Sequence, residues 1–236
     1  MNRTAVIFLA FALAMGATSS PAAQPNALTA DEQKDGWILL FDGQTTKGWH
    51  TFKKTSFPEK GWVIEDGCLK HVAKGGGGDV VSDGLFEEFD LVWEWKIAPG
   101  ANSGLKYFVS DKRSSALGHE YQMIDDKSGA AKGTSQSTGS FYEVVAPSKD
   151  KPVNPPGEWN SSRVIVRGQH VEHWLNGAKV VEYELGSDAI KAAVAKSKFK
   201  GLAGFGTRVK GHILLQDHGG EVCFRNIKLR DLSAAK

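Results

Sequence analysis

Two short stretches of this chain carry acid–base groups at spacings that a β-strand converts into a shared face. In the segment 118–124 (GHEYQMI), alternation puts Glu120, Gln122 and Ile124 on one side and His119, Tyr121 and Met123 on the other. A carboxylate beside an amide on an otherwise apolar strand marks either a solvated outer face or a wall that faces a ligand. The polar loop that follows at once favours the wall. The second stretch, Gln216-Asp217-His218-Gly219-Gly220, ends a strand in a turn. Histidine is the side chain that exchanges protons near neutral pH, and Gln216 and His218 share a face if the strand runs that far. The competing reading is a turn held by Asp217. A strand end, where a sandwich opens to solvent, favours His218 as an acid or base.

Other candidates surround these two. Glu94 and Lys96 occupy the polar face of a strand whose opposite face carries Trp93 and Trp95. Lys106, on the following strand, is placed either to pair with Glu94, worth about a few tenths of a kcal/mol, or to donate to a ligand's oxygen. Tyr142 is read as core or as a ring on which a ligand stacks. Asn102-Ser103-Gly104 reads as a turn and Arg225 as structural. His170 and His173 are three apart, so on a strand they point to opposite faces and do not chelate together. His50, His71 and His212 stand isolated in the sequence. Asp125-Asp126, followed by Ser128 and Gly129, lacks the spacing of an EF-hand. No metal and no cofactor is therefore expected. The cysteines, Cys68 and Cys223, are too few for a thiolate zinc site. An oxidising compartment permits a bridge between them, and the alternative is a pair of strand thiols.

The elements that must position these groups follow a period of two, not 3.6. The clearest is 89–97 (FDLVWEWKI), with Leu91, Trp93, Trp95 and Ile97 on the buried face. Further strands are expected at 37–41, 61–65, 68–72, 103–109, 118–124, 140–145, 162–167, 171–176, 179–183, 202–206, 212–215 and 222–229. Asn176-Gly177 is the strongest hairpin signal, because that pair tolerates positive φ at both turn positions. One helix is expected at 187–197, capped by Ser187. The glycine run 75–78 precedes no Lys-Ser/Thr and no helix, so it reads as a loop and not a phosphate cradle. Loops 125–139 and 146–158 are rich in Gly, Ser and Pro and are suited to rim a site. Many short strands with one helix predict an all-β antiparallel two-sheet sandwich of the jelly-roll kind.

Residues 1–23 read as a secretory signal peptide, with Arg3 ahead of an apolar run too short to anchor in a bilayer. Residues 24–36 form a polar lead-in and 37–232 a single sandwich domain. The expected location is periplasmic or secreted, without stable membrane insertion once the signal is removed. Basic and acidic residues number 29 and 27, a formal net charge of +2. That balance gives no footprint for nucleic acid and is compatible with a small carbohydrate substrate.

Seven segments together resemble the 3-keto-disaccharide hydrolase family. They are LFDGQTTKGWH (40–50), WVIEDGCLK (62–70), FDLVWEWKIAPGANSGLKYFV (89–109), GHEYQMIDD (118–126), EWNSSRVIVRG (158–168), HWLNGAKV (173–180) and LLQDHGGEVCFRNIKL (214–229). The resemblance implies a concanavalin-A-like jelly roll and action on glycosides whose C3 hydroxyl has been oxidised to a ketone. Such a ketone acidifies the C2 proton. A base removes it, the C1 substituent departs from the enolate, and water adds later; direct hydrolysis is the other route. Elimination needs a base, a donor for the enolate oxygen and an acid for the leaving group. The residues assigned on this basis are Glu120 and His218 for proton transfer, with Glu94, Lys106, Gln122, Tyr142, Gln216 and Asp217 around the sugar. The alternatives are a lectin-like module without chemistry and an ordinary two-carboxylate glycosidase, in which Glu94 would face Glu120.

Overall fold

The structure, a computed structural model, describes residues 24–233. The segment read as a signal peptide lies outside the described residues. The elements in chain order are α1 (Ala30–Lys34), β1 (Trp37–Leu39), β2 (Trp49–Thr51), β3 (Trp62–Glu65), β4 (Cys68–His71), β5 (Val80–Ser82), β6 (Phe89–Ile97), β7 (Asn102–Val109) and β8 (His119–Ile124). There follow β9 (Asn160–Arg167), β10 (His170–Leu175), β11 (Ala178–Glu184), α2 (Asp188–Lys196), β12 (His212–Leu215) and β13 (Val222–Asp231).

The strands form two antiparallel sheets. The larger runs β11-β10-β9-β6-β13-β4-β3, with β1 also paired to β13; the smaller runs β2-β5-β12-β7-β8. This is the two-sheet sandwich expected from the alternation. On β6, Leu91, Trp93, Trp95 and Ile97 are buried while Val92, Glu94 and Lys96 are half-buried. Trp93 meets Tyr121 of the opposite sheet edge to face, 4.9 Å between ring centres. Asn176 and Gly177 adopt φ of 45° and 85°. Two positive φ values in succession give the turn twist that suits a two-residue hairpin, and β10 pairs with β11 across it.

Several local expectations are corrected. The segments 140–145 and 202–206 are turns. Val144 and Val145 both donate to the Phe141 carbonyl, and Phe205 N–H donates to Leu202. Positive φ at Glu143, Gly204 and Gly206 breaks the extended run in each. Residues 102–104, read as a turn, are the start of β7. β2 and β5 leave no signal in the sequence, because three residues are too few to show a period. The lead-in contains α1, closed by a capping box between Thr29 and Glu32 and held to β13 by Lys228 Nζ at 2.8 Å from both Glu32 oxygens. α2 forms as expected, with the Ser187 hydroxyl accepting from Ile190 N–H.

A chain of hydrogen bonds stitches the sheets together inside the core. Gly206 N–H donates to His119 Nε2, so the ring proton sits on Nδ1, which donates to the Tyr183 hydroxyl. At the other end the Gly139 carbonyl can only accept, so His173 Nδ1 carries the proton and Nε2 accepts from the Tyr107 hydroxyl. The Tyr183 hydroxyl must then donate to Tyr107, 2.7 Å away. Every proton is placed and every ring is neutral. Burial agrees, holding His119 down to about 3 and His173 to about 4.

Candidate active site

The opposite face of β7 and β8 has a different character. Register sets His50, Val81, Leu214, Lys106 and Glu120 side by side across all five strands of the smaller sheet. All point outward, away from the core. Val81 and Leu214 form a small apolar patch with Val109, covered by Phe52 and Ala116. Lys106 and Glu120 form the polar end of the row. The next row outward contains Gln122 opposite Gly104, and Gln216, whose N–H donates to the Gly104 carbonyl.

Gly104 is the floor on which the carboxyl group rests. A Cβ there would lie 2.6 Å from Glu120 Oε1, so a side chain at 104 and the carboxyl in its present place exclude each other. Glu120 is 7% exposed. Burial raises its pKa; Lys106, Lys198 and His218 pull it back down, and Asp79 pushes it further up. The result is a carboxylate more basic than one in water. Lys106 Nζ lies 3.6 Å from Asp79 Oδ2. Asp79 is likewise raised by burial and opposed by Lys106.

A loop-to-loop clamp holds Asp79. Asp217 N–H donates to Asp79 Oδ1 at 2.9 Å. The Asp217 carboxylate accepts from Gly78 N–H and Gly219 N–H and lies 2.9 Å from His71 Nε2. His71 is wholly buried, with its Nδ1 against the Gly220 carbonyl. On the far side of Glu120, Tyr142 N–H donates to the Glu120 carbonyl, and Lys198 Nζ stands 4.2 Å over the Tyr142 ring. Burial raises the Tyr142 hydroxyl, with Glu120 and Glu143 adding to it. Two side-chain oxygens on this face, Asn102 Oδ1 and Gln216 Oε1, are buried without a hydrogen-bond partner. Buried acceptors are ordinarily paired, so these two are exceptions on this face.

Of the residues singled out from sequence, Glu120, Lys106, Gln122 and Gln216 share this outward face, and Tyr142 and Asp217 flank it. Gln122 is buried and ties the following loop, its Nε2 donating to Gln136 and its carbonyl accepting from Gly139. β12 stops at Leu215, so Gln216 and His218 do not continue an alternation; His218 is exposed on the turn, near enough for its charge to bear on Glu120. Glu94 is elsewhere. β6 and β7 are consecutive but belong to different sheets, so Glu94 cannot meet Lys106 across strands. It pairs instead with Arg225 at 2.6 Å, and Arg225 stacks on Trp159.

Asp79 and His71 escape the sequence pattern. Asp79 follows a glycine run, and its only signal is a charge ahead of the strand 80–82. His71 is not isolated, because β4 pairs with β13 and so lies against the 216–220 turn that leads into it. His50 and His212 also meet, edge to face at 5.7 Å.

Among the described residues one group has metal-ligating geometry, His170, Glu172 and Glu182 on the β10–β11 hairpin. Lys179 Nζ, 2.7 Å from Glu182 and 3.4 Å from Glu172, already answers those carboxylates. Asp125 and Asp126 accept from backbone N–H groups and, for Asp126, from Lys151. The cysteines are free, buried strand thiols on β4 and β13, and the Cys68 Sγ–H donates to the Asp66 carbonyl at 3.6 Å; each thiol acts on the other, lowering Cys68 to about 7 and raising Cys223.

The architecture has counterparts among known proteins. A family model for the 3-keto-alpha-glucoside-1,2-lyase-like domain matches residues 36–230. A 3-keto-disaccharide hydrolase of Bacteroides thetaiotaomicron is 32% identical over 247 aligned positions, spanning 91% of this chain and 84% of the relative. A solved structure from Parabacteroides distasonis, provisionally named a glycosyl hydrolase, superposes with a TM-score of 0.80 at 36% identity, over 89% of this chain and 100% of that one. A second one from that organism, named in the same way, gives 0.64 at 28% identity over 83% and 99%. Likeness that runs through nearly every strand, in sequence as in fold, makes this chain a member of the 3-keto-alpha-glucoside-1,2-lyase-like family and a carbohydrate-active enzyme.

Proposed function

We propose that the chain cleaves 3-keto glycosides by elimination across C1 and C2, with Glu120 as the base. The observation that carries this reading is the register pair Glu120–Lys106 over the open floor at Gly104. A carboxylate made basic by burial removes the C2 proton, and the electrons of that C–H bond move toward the C3 oxygen. The Lys106 ammonium, already fixed by Asp79, stabilises the enolate oxygen as charge develops there. The enolate collapses, a C1–C2 double bond forms, and the C1–oxygen bond breaks. The departing oxygen takes a proton, for which the exposed His218 is the assigned donor. Gln216, half-buried beside Gly104, is the residue assigned to hydrogen-bond a sugar hydroxyl. Water added later to the double bond gives net hydrolysis.

Incubation with a 3-keto disaccharide and with its unoxidised parent tests the reading. Conversion of the oxidised sugar alone, with a normal isotope effect for deuterium at C2, supports it. Turnover of the parent would point to Glu120 and Asp79 as a glycosidase pair, and binding without turnover to a lectin-like module. Export to the periplasm or medium is part of the same proposal and rests on the 1–23 signal. A mature N-terminus between Ala17 and Gln24 in a secreting host is the expected result; retention of Met1 in the membrane fraction would overturn it.

A further inference from the structure

We propose that His71 is a positioning residue for the reaction, and that it acts by donating from both ring nitrogens at once. Its target is Asp217, and through Asp217 the Asp79–Lys106 pair beside Glu120. The kinetic part rests on the elimination reading above; the proton count rests on hydrogen-bond geometry alone. His71 is the last residue of β4, in register with Val222 and Trp62 on the core-facing side of the larger sheet, and it is wholly buried.

The proton count follows from the neighbours of the ring. Nδ1 lies 2.9 Å from the Gly220 carbonyl oxygen, which only accepts, so Nδ1 carries a proton. Nε2 lies 2.9 Å from Asp217 Oδ1 and 3.3 Å from the Gly76 carbonyl oxygen. A carboxylate and a carbonyl both accept, so Nε2 carries a proton too. Were it bare, its lone pair would face those of Asp217 across a contact that has no donor. His119 and His173 show the other pattern, in which one ring nitrogen donates and the other accepts. His71 is therefore an imidazolium held against a carboxylate. Such a buried pair persists where further hydrogen bonds complete it, and Gly78 N–H and Gly219 N–H supply them to Asp217.

The pair stands close to the reacting groups. Asp217 N–H donates to Asp79 Oδ1, and Asp79 Oδ2 faces Lys106 Nζ, which is in register with Glu120. His71 also gathers the backbone around this chain. Gly76, shortly before Asp79, and Gly220, shortly after Asp217, both direct their carbonyls at its ring. One ring on the larger sheet thus fixes the segment that leads into β5 and the segment that leaves β12, both strands of the smaller sheet.

These segments also have ties that do not involve His71. Trp62 Nε1 donates to the Gly78 carbonyl, Lys74 N–H to the Gly219 carbonyl and Val72 N–H to the Gly61 carbonyl. Loss of the ring therefore leaves the loops attached and frees the 217 turn to shift. A shift there moves the Asp217 N–H off Asp79 and loosens the anchor of the Lys106 ammonium. That ammonium stabilises charge that develops only in the transition state, so the loss falls on kcat and not on KM.

The test uses two variants that each keep one of the two donors. In His71→Gln the amide nitrogen takes the place of Nε2 and still reaches Asp217; in His71→Asn it takes the place of Nδ1 and reaches only Gly220. Each leaves one buried acceptor unpaired, so both should lower the melting temperature by similar amounts. On a 3-keto disaccharide, His71→Asn should lose about tenfold or more in kcat with KM within about twofold, and His71→Gln should recover most of that loss. Equal kcat loss in both variants, or loss in neither, overturns the positioning role. If His71→Asn does not fold, Asp217→Asn carries the test, since it keeps the backbone N–H and removes the charge. The same loss of kcat is expected there, and full activity overturns the role. NMR of the wild-type imidazole nitrogens under the assay conditions tests the proton count without substrate. Two ring N–H groups on His71 are expected, and a single one overturns the count. Wild type that converts no 3-keto disaccharide overturns the elimination reading and the kinetic role with it, an outcome separate from the NMR result.

Discussion

The two faces of β7 and β8 are built from alternate residues of the same strands, and they solve opposite problems. Inward, Tyr107, His119 and their partners His173 and Tyr183 form a chain in which each donor has one acceptor and no group is charged. Outward, Lys106 and Glu120 are almost as buried, at 6% and 7% exposed, yet they carry charge or contest it. Two amide oxygens beside them lack partners. Burial therefore does not distinguish a structural polar group from a functional one, and neither does pairing alone, since Trp93 Nε1 in the core also lacks a partner. The closed inward network leaves nothing for a substrate to satisfy, whereas the outward face brings a basic carboxylate and an ammonium together.

The largest effect that separates the faces should come from Glu120→Gln. The amide keeps the shape but takes no proton at neutral pH, so turnover of a 3-keto disaccharide should fall by roughly 10²–10⁴-fold, with the melting temperature nearly unchanged. Near-full turnover would sink the role assigned to this strand.

Gly104→Ala sharpens the comparison without touching a titratable group. The backbone of Gly104 has an ordinary φ, so the methyl is resisted first by the Glu120 side chain, whose Oε1, Cγ and Cδ are the nearest atoms it would meet. A misplacement near 1 Å costs on the order of 10²-fold in rate. The decisive measurement is kcat, together with a crystal structure; full activity with Glu120 unmoved would break the argument that the floor must be open.

Tyr107→Phe probes the inward face. It removes the hydroxyl that donates to His173 and accepts from Tyr183, leaving both without that partner. Stability should drop by about 1–3 kcal/mol in urea unfolding, while kcat changes far less than in Glu120→Gln. A large kcat loss at unchanged stability would show that the two faces are coupled.

The smallest effect is in the pH dependence of stability. His119 and His173 are held neutral when folded, to about 3 and about 4, and titrate near 6.5 when unfolded. The unfolded chain therefore binds more protons as pH falls, and the stability these rings contribute, present above 6.5, is lost on acidification. From pH 7 to pH 6 the pair accounts for about 1 kcal/mol. His173→Gln should flatten that slope by about half; an unchanged slope would mean that other groups set it.

The alternation in FDLVWEWKI and GHEYQMI determines by itself which residues face the core, because a pleated strand has a period of two whatever its neighbours are. It puts Trp93, Trp95, Tyr121 and Met123 inside and Glu120 and Gln122 outside. The hairpin at Asn176-Gly177 is equally legible, since positive φ at two consecutive positions is a local demand. Which sheet each strand joins is not local. β6 and β7 are neighbours in sequence with similar patterns, and only the sandwich separates Glu94 from Lys106. Likewise Asp79, His71 and Asp217 come from three distant segments, and nothing in any one of them announces the other two. Periodicity records the burial of a strand's face, a property of the strand itself; the company a side chain keeps across that face is decided by long-range pairing, which only the folded chain specifies.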